Sequence, residues 1–308
     1  MELKNYLKKN IIKFDYFFII LIIFIISRLL FYFLFNIKFD YNFINFSQQT
    51  LDLNLLKNDL VNSILYLHHQ PPLFNFFIGI ILKLSGTNEL FISNLLYLFI
   101  SFLTLIVFYL TSKELDFDKK ISLIFTIIFL FSSSLIGFEN HFFYTLPTLF
   151  LLMTTFYYFL LLIKYKKNRY IFFFFIFLSL LSLLRSNFNI IFLFIFFLVL
   201  NIFYIRNYKI RIVCFLPILI VLLFYLKNFY YFGTFNISSY YLWENLIQKY
   251  YHYYKIHKTN SPQLINNYVL NVNEYNELKN KLSPIHTLPM NSDINIGNPT
   301  TAIVSRYI

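Results

Sequence analysis

Apolar residues in this chain gather in long runs, with polar residues confined to the stretches between them. A helix needs roughly 20 apolar residues to cross a bilayer. Seven runs meet or approach that length: Tyr16–Phe35, Leu90–Leu110, Ile121–Phe138, Phe142–Ile163, Tyr170–Leu184, Phe188–Ile205 and Ile210–Leu226. The pattern predicts an all-α polytopic membrane protein of about seven transmembrane helices. An eighth run, Leu73–Leu84, is only a dozen residues and holds Asn75 and Lys83. Its length suits an interfacial or re-entrant helix. Between Leu51 and Leu67 the residues Leu51, Leu55, Leu56, Leu60, Ile64, Leu65 and Leu67 recur at helical spacing. That spacing predicts an amphipathic helix lying on the membrane surface. Pro71 and Pro72 end it, since proline lacks a donor and restricts the residue before it. Pro72 then sits at the first turn of the second surface helix.

Charge assigns sides to these elements. Lys and Arg concentrate in cytoplasmic loops. The basic clusters are Lys4, Lys8, Lys9 and Lys13; Lys113, Lys119 and Lys120; Lys164, Lys166, Lys167 and Arg169; and Arg206, Lys209 and Arg211. All four fall on one side if Leu73–Leu84 does not cross, and three change sides if it does. The expected topology therefore has the N-terminus in the cytoplasm, in a bacterial inner (plasma) membrane. Residues 1–232 form the membrane module, with a first outer loop at 36–89, and residues 233–308 form a polar tail outside. The first run has no cleavage site after it and is long enough to stay as an anchor.

Composition agrees. The chain has 308 residues, 58% hydrophobic, 23% aromatic and only 13% charged, against about a quarter charged in soluble domains. The net charge of +12 is accounted for by the cytoplasmic clusters, so it is a topology signal and implies no nucleic-acid partner. Cys214 is the one cysteine, which excludes an intramolecular disulfide. Only five glycines occur, and no Gly-rich phosphate loop is present for a nucleotide-linked donor.

The polar residues near the outer face are the candidates for chemistry. Arg28 lies deep in the first run, where a cation needs a carboxylate or an anionic ligand. Asp40 follows that run closely; a carboxylate near the apolar boundary can serve as a base, or be a solvated loop residue. Asp52 and Asp59 lie further on. His68, His69 and Gln70 supply polar groups at the proline corner. Glu139, Asn140 and His141 form a polar turn between two apolar runs, followed by Tyr144 and Pro147. Arg185, in "LLRSNFN", sits at the end of the fifth run. Its planar fork suits a phosphate, with snorkelling to the interface as the alternative. His68 and His69 together with Glu139 or His141 offer a site for a divalent metal as an alternative to substrate contact, although adjacent histidines point to different faces and no spaced ligand set stands out; no other cofactor is implied.

A basic N-terminus, one span, a long outer loop with two surface helices, the corner "HHQPPLF" and six further spans resemble the catalytic module of the GT-C glycosyltransferases. The likeness is to the branch of protein O-mannosyltransferases and lipid A aminoarabinose transferases, over roughly residues 10–230. The resemblance implies transfer of a sugar from a polyprenyl-phosphate carrier to a lipid, glycan or protein acceptor outside the cytoplasm. It implies an acidic residue in the first outer loop acting as base, for which Asp40 is the first candidate and Asp52 the second. The family's acidic pair is here the single Asp40 in "FDYNF". A second acidic position in the next outer turn is matched by Glu139 in "GFENHFFYTLP". Arg185, and less strongly Arg28, would then meet the carrier phosphate. His68, His69, Gln70, Asn140, His141 and Tyr144 would line the pocket. The alternatives are a transporter or flippase for a lipid-linked sugar, and a membrane scaffold of the same fold without activity.

Overall fold

The computed structural model describes residues 2–41, 44, 50–68, 70–204, 208–232 and 235–238. Every element among them is helical, apart from isolated bridge positions. In chain order they are α1 (Glu2–Leu34), α2 (Leu53–Asn58), α3 (Leu60–Tyr66), α4 (Pro72–Ser85), α5 (Glu89–Glu114) and α6 (Lys119–Leu130), then α7 (Ser133–Asn140), α8 (Thr145–Tyr165), α9 (Asn168–Leu184), α10 (Ile190–Phe203) and α11 (Tyr208–Phe232).

Four helical stretches are long and apolar enough to cross a membrane: Tyr16–Leu34, Glu89–Glu114, Thr145–Tyr165 and Ile212–Tyr231. The count is five if α6 and α7, bent by 56° at a short break, make one span. Their outer surfaces are what lipid requires. Phe33 and Leu34 of α1 are 73% and 72% exposed, and Phe229 and Tyr230 of α11 are 57% and 78% exposed. Such apolar exposure would be unfavourable in water. α9 and α10 are shorter apolar helices.

The sequence treated Ile121–Phe138 as one uninterrupted helix, and the fold breaks it at Phe131–Ser132. Ser132 takes an extended backbone, and its hydroxyl accepts from the Leu135 N–H at 3.3 Å. A serine cap offers the amides of a new helix an alternative to the old ladder. The surface helix expected over Leu51–Leu67 is likewise two short helices. Asp52 caps the first through the Asn54 and Leu55 amides, at 2.9 and 3.2 Å. Asp59, between them, accepts from the Asn62 side chain at 2.9 Å and from its amide at 3.4 Å. Two aspartates at cap positions make two starts. The helix expected over Leu73–Leu84 begins at Pro72, one residue before the apolar run itself.

The described residues group into two compact units. One draws on Met1–Phe43, Thr87–Leu178 and Leu200–Cys214. In it α5 packs along α8, and α1, α6 and α7 pack against α5 or each other. The buried face of α5 is a stripe of Ser93, Tyr97, Ser101, Thr104, Leu105, Tyr109 and Ser112. Small hydroxyl residues let helix backbones approach closely where no water drives association. Thr104 and Ser112 return their hydroxyls to carbonyls one turn back, at 2.8 and 3.0 Å. The other unit draws on the described residues within 44–86, 179–199 and 215–238. There α2 and α3 pack on α4, and the buried Asn75 side chain accepts from the Leu51 amide at 2.8 Å.

Candidate functional site

In the first unit, four separate pieces of chain meet near the end of α1. α1 stops where Asn36 takes a left-handed backbone, φ 52°, and the Ile37 N–H closes on the Phe31 carbonyl at 3.1 Å. Asparagine is one of the few residues that tolerates this conformation. The chain then runs extended through Phe39, Asp40 and Tyr41 and pairs with the segment after α7. Asp40 donates its amide to the Asn140 carbonyl at 2.7 Å and accepts from the Phe142 amide at 3.3 Å. The result is a parallel bridge between Asp40 and His141.

Extended chains send alternate side chains to opposite faces. Phe39, Tyr41 and Phe142 go inward, where Phe142 is buried and its ring lies 5.1 Å from Tyr97, 5.3 Å from Tyr41 and 5.9 Å from Phe39. The Tyr97 hydroxyl donates to the Phe143 carbonyl at 2.7 Å. Tyr41 also points its hydroxyl to Glu89 at 3.3 Å. Burial, then the neighbouring Glu89 carboxylate, holds that phenol well above its ordinary range. Asp40 and His141, at the intervening positions, are both exposed.

Below this bridge lies an ion pair. Arg28 donates through Nε to Glu139 Oε1 at 2.8 Å and through Nη2 to Oε2 at 2.6 Å. This is the bidentate geometry in which a guanidinium binds a carboxylate most strongly. Ser101 of α5 donates to the same Oε2 at 2.6 Å. The remaining arm, Nη1, reaches the Ser27 hydroxyl at 3.0 Å and the Leu130 carbonyl at 3.4 Å. Leu130 ends α6, so its carbonyl has lost the amide it would meet in a continuous helix. Arg28 thus holds both halves of the broken helix, one by a carbonyl and one by a carboxylate. The Phe24 ring covers the guanidinium at 4.5 Å.

The pair borders a cavity of about 300 Å³. Asn94 and Asn140 add amides to its wall, and Phe24, Ile25, Leu29, Tyr32 and Phe39 give it an apolar body. Ile25, Leu29 and Tyr32 are also exposed on the α1 surface, so this wall is shared with the side that faces lipid. A cavity with few polar groups and long apolar walls fits an amphiphile with a small polar head.

The candidate residues therefore divide. Arg28, Asp40, Glu139, Asn140 and His141 are brought together. Asn140 also donates its side chain to the Ile136 carbonyl at 2.8 Å, and Tyr144 sits just before α8 with its ring 4.0 Å from Phe143. Asp52 acts as a helix cap in the second unit. His68 is buried there, Gln70 and Arg185 are half-buried, and the Lys227 ammonium donates to the Leu67 carbonyl beside the proline corner. His69 and almost all of the tail lie outside the described residues. Ser101, Asn94 and Tyr97 escaped the sequence reading; the only sign was polar groups at helical spacing within an apolar run. Among the described residues no group of three His, Cys, Asp or Glu is placed to hold a metal ion. No protein-family model, curated protein or solved structure matches the chain.

Proposed function

We propose that the protein is a membrane glycosyltransferase that moves a sugar from a polyprenyl-phosphate carrier to an acceptor outside the cytoplasm. The observation that carries the reading is the cavity at the end of α1, where Arg28, Glu139, Asn94 and Asn140 meet an apolar wall beneath the exposed Asp40. The sugar occupies the polar end and the isoprenoid lies along the α1 surface. Asp40 activates the acceptor hydroxyl, which attacks the anomeric carbon as the sugar–phosphate bond breaks, with inversion. Charge on the departing phosphate calls for a preorganised cation, a role for which the sequence offers Arg185. The Arg28–Glu139 pair is a positioning device, because both groups already satisfy each other. In this reading α9, α10 and the bent pair α6–α7 complete seven spans, with the basic clusters and the N-terminus in the cytoplasm of a bacterial inner membrane.

One observation favours a second reading. A broken helix with a buried charge beside a cavity is a feature of transporters, so the carrier-linked sugar could be moved without being consumed. Purified protein in lipid vesicles, given labelled polyprenyl-phosphate hexoses and pentoses and a membrane extract as acceptor source, separates the two. Label passing from carrier to acceptor supports transfer. Label crossing the vesicle wall still on its carrier supports transport and overturns the first reading.

A further inference from the structure

We propose that His141 is the group that receives the acceptor's proton, with Asp40 acting through it; the inference rests on the glycosyl-transfer reading. Three observations place the imidazole for the task. The parallel bridge sets Asp40 and His141 opposite one another, about one strand spacing, roughly 5 Å, apart. Both side chains share the exposed face, because their neighbours Phe39, Tyr41 and Phe142 are anchored in the aromatic cluster. The ring is also fixed in one tautomer. Nδ1 lies 2.9 Å from the Gly137 carbonyl, and a carbonyl can only accept, so Nδ1 carries the hydrogen. Nε2 is then the proton-accepting nitrogen of the neutral ring.

This is the division of labour of an oriented general base. One group holds the imidazole, here the Gly137 carbonyl, and a neighbouring carboxylate stabilises the imidazolium as it forms. Nε2 takes the proton from the acceptor O–H. The oxygen forms the new bond to the anomeric carbon, and the electrons of the breaking C–O bond leave on the polyprenyl phosphate. The phosphate gains one negative charge as His141 gains one positive charge. The charged and titratable described residues on the elements that meet at the bridge include Lys38, Asp40 and Tyr41 on the paired segment, Arg28 and Tyr32 on α1, Glu89 and Tyr97 on α5, Glu139 on α7 and Tyr144 before α8. Of these, Arg28 and Glu139 neutralise each other, and Tyr41 is tied to Glu89, so Asp40 is the carboxylate best placed to favour the imidazolium.

The test compares wild type, His141→Ala, His141→Gln and Asp40→Asn in vesicles with the labelled polyprenyl-phosphate sugar and a membrane extract. His141→Ala is expected to lose at least about 10²-fold in transfer, the usual contribution of a general base. Added imidazole should restore part of the activity to His141→Ala and none to Asp40→Asn. His141 is exposed, so both His141 variants should keep the wild-type unfolding midpoint. Transfer by His141→Ala within a few-fold of wild type overturns the proposal. So does a loss that neither imidazole nor methylimidazole relieves, because the side chain would then serve only to position the loop. Absence of transfer by the wild type itself overturns the glycosyl-transfer reading instead.

Discussion

Replacing Glu139 by leucine would leave the Arg28 guanidinium buried with no carboxylate. The two side chains are 11% and 3% exposed, so water screens the pair poorly. Removing one partner of a buried, hydrogen-bonded ion pair costs about 3–5 kcal/mol, because the other charge stays buried without compensation. Glu139→Leu and Arg28→Met should each fall in that range. The arginine variant also strips the Leu130 carbonyl of its donor at the break between α6 and α7. The double variant Arg28→Met/Glu139→Leu leaves no charge to strand and should sit within about 1 kcal/mol of wild type, since apolar replacement of a buried pair is often neutral. Unfolding in mixed detergent micelles, followed by loss of helical circular dichroism, measures all four proteins. The resulting coupling energy should exceed about 5 kcal/mol. Single variants that each cost under about 1 kcal/mol, or a double variant that costs the sum of the two, would refute the argument that this pair holds the broken helix together.

Two further expectations concern topology and phosphate. In a Cys214→Ser background, cysteines at Asn88 and Asn187 should react with an impermeant reagent from outside, and cysteines at Leu115 and Asn168 should not; outside labelling at Leu115 would mean that α4 crosses the membrane. Arg185→Ala should lower transfer by about 2–4 kcal/mol of transition-state stabilisation, and Arg185→Lys by less, since an ammonium keeps the charge but not the fork; wild-type turnover in the alanine variant would make Arg185 an interface anchor.

The apolar runs were legible because lipid imposes length and composition on any helix that crosses it. The ends of the four long spans fall close to the ends of their runs for that reason, whereas α4 is bounded by Pro71 and Pro72 before it and by Gly86, at φ 59°, after it. The breaks were not legible, because each depends on a cap. Ser132 interrupts a run that hydropathy reads as continuous, and Asp59 divides a helix whose leucine spacing continues across it. The deep Arg28 announced that it needed a counter-charge, but a linear pattern cannot name the partner, which arrived from Glu139, far along the chain. Asp40 and His141 stood out as polar residues near apolar boundaries. Their pairing is a backbone event, set by two amide–carbonyl bonds and by the rings of Phe39 and Tyr41 packed on the buried Phe142. Asp52 shows the converse, since a carboxylate two residues before Asn54 reads equally well as a base or a cap, and only the amides at 2.9 and 3.2 Å settle what it does in the fold.

The most direct measurement is sugar transfer by Asp40→Asn beside the wild type, in vesicles supplied with labelled polyprenyl-phosphate sugar and a membrane extract. Asparagine keeps the backbone bridge to Asn140 and Phe142 and the shape of the side chain, but it carries no negative charge. The account expects transfer to fall by at least about 10²-fold, the scale of losing proton removal from the acceptor whether Asp40 takes the proton or supports the histidine that does, while the unfolding midpoint and carrier binding stay at wild-type values. Transfer by Asp40→Asn within a few-fold of wild type would contradict it.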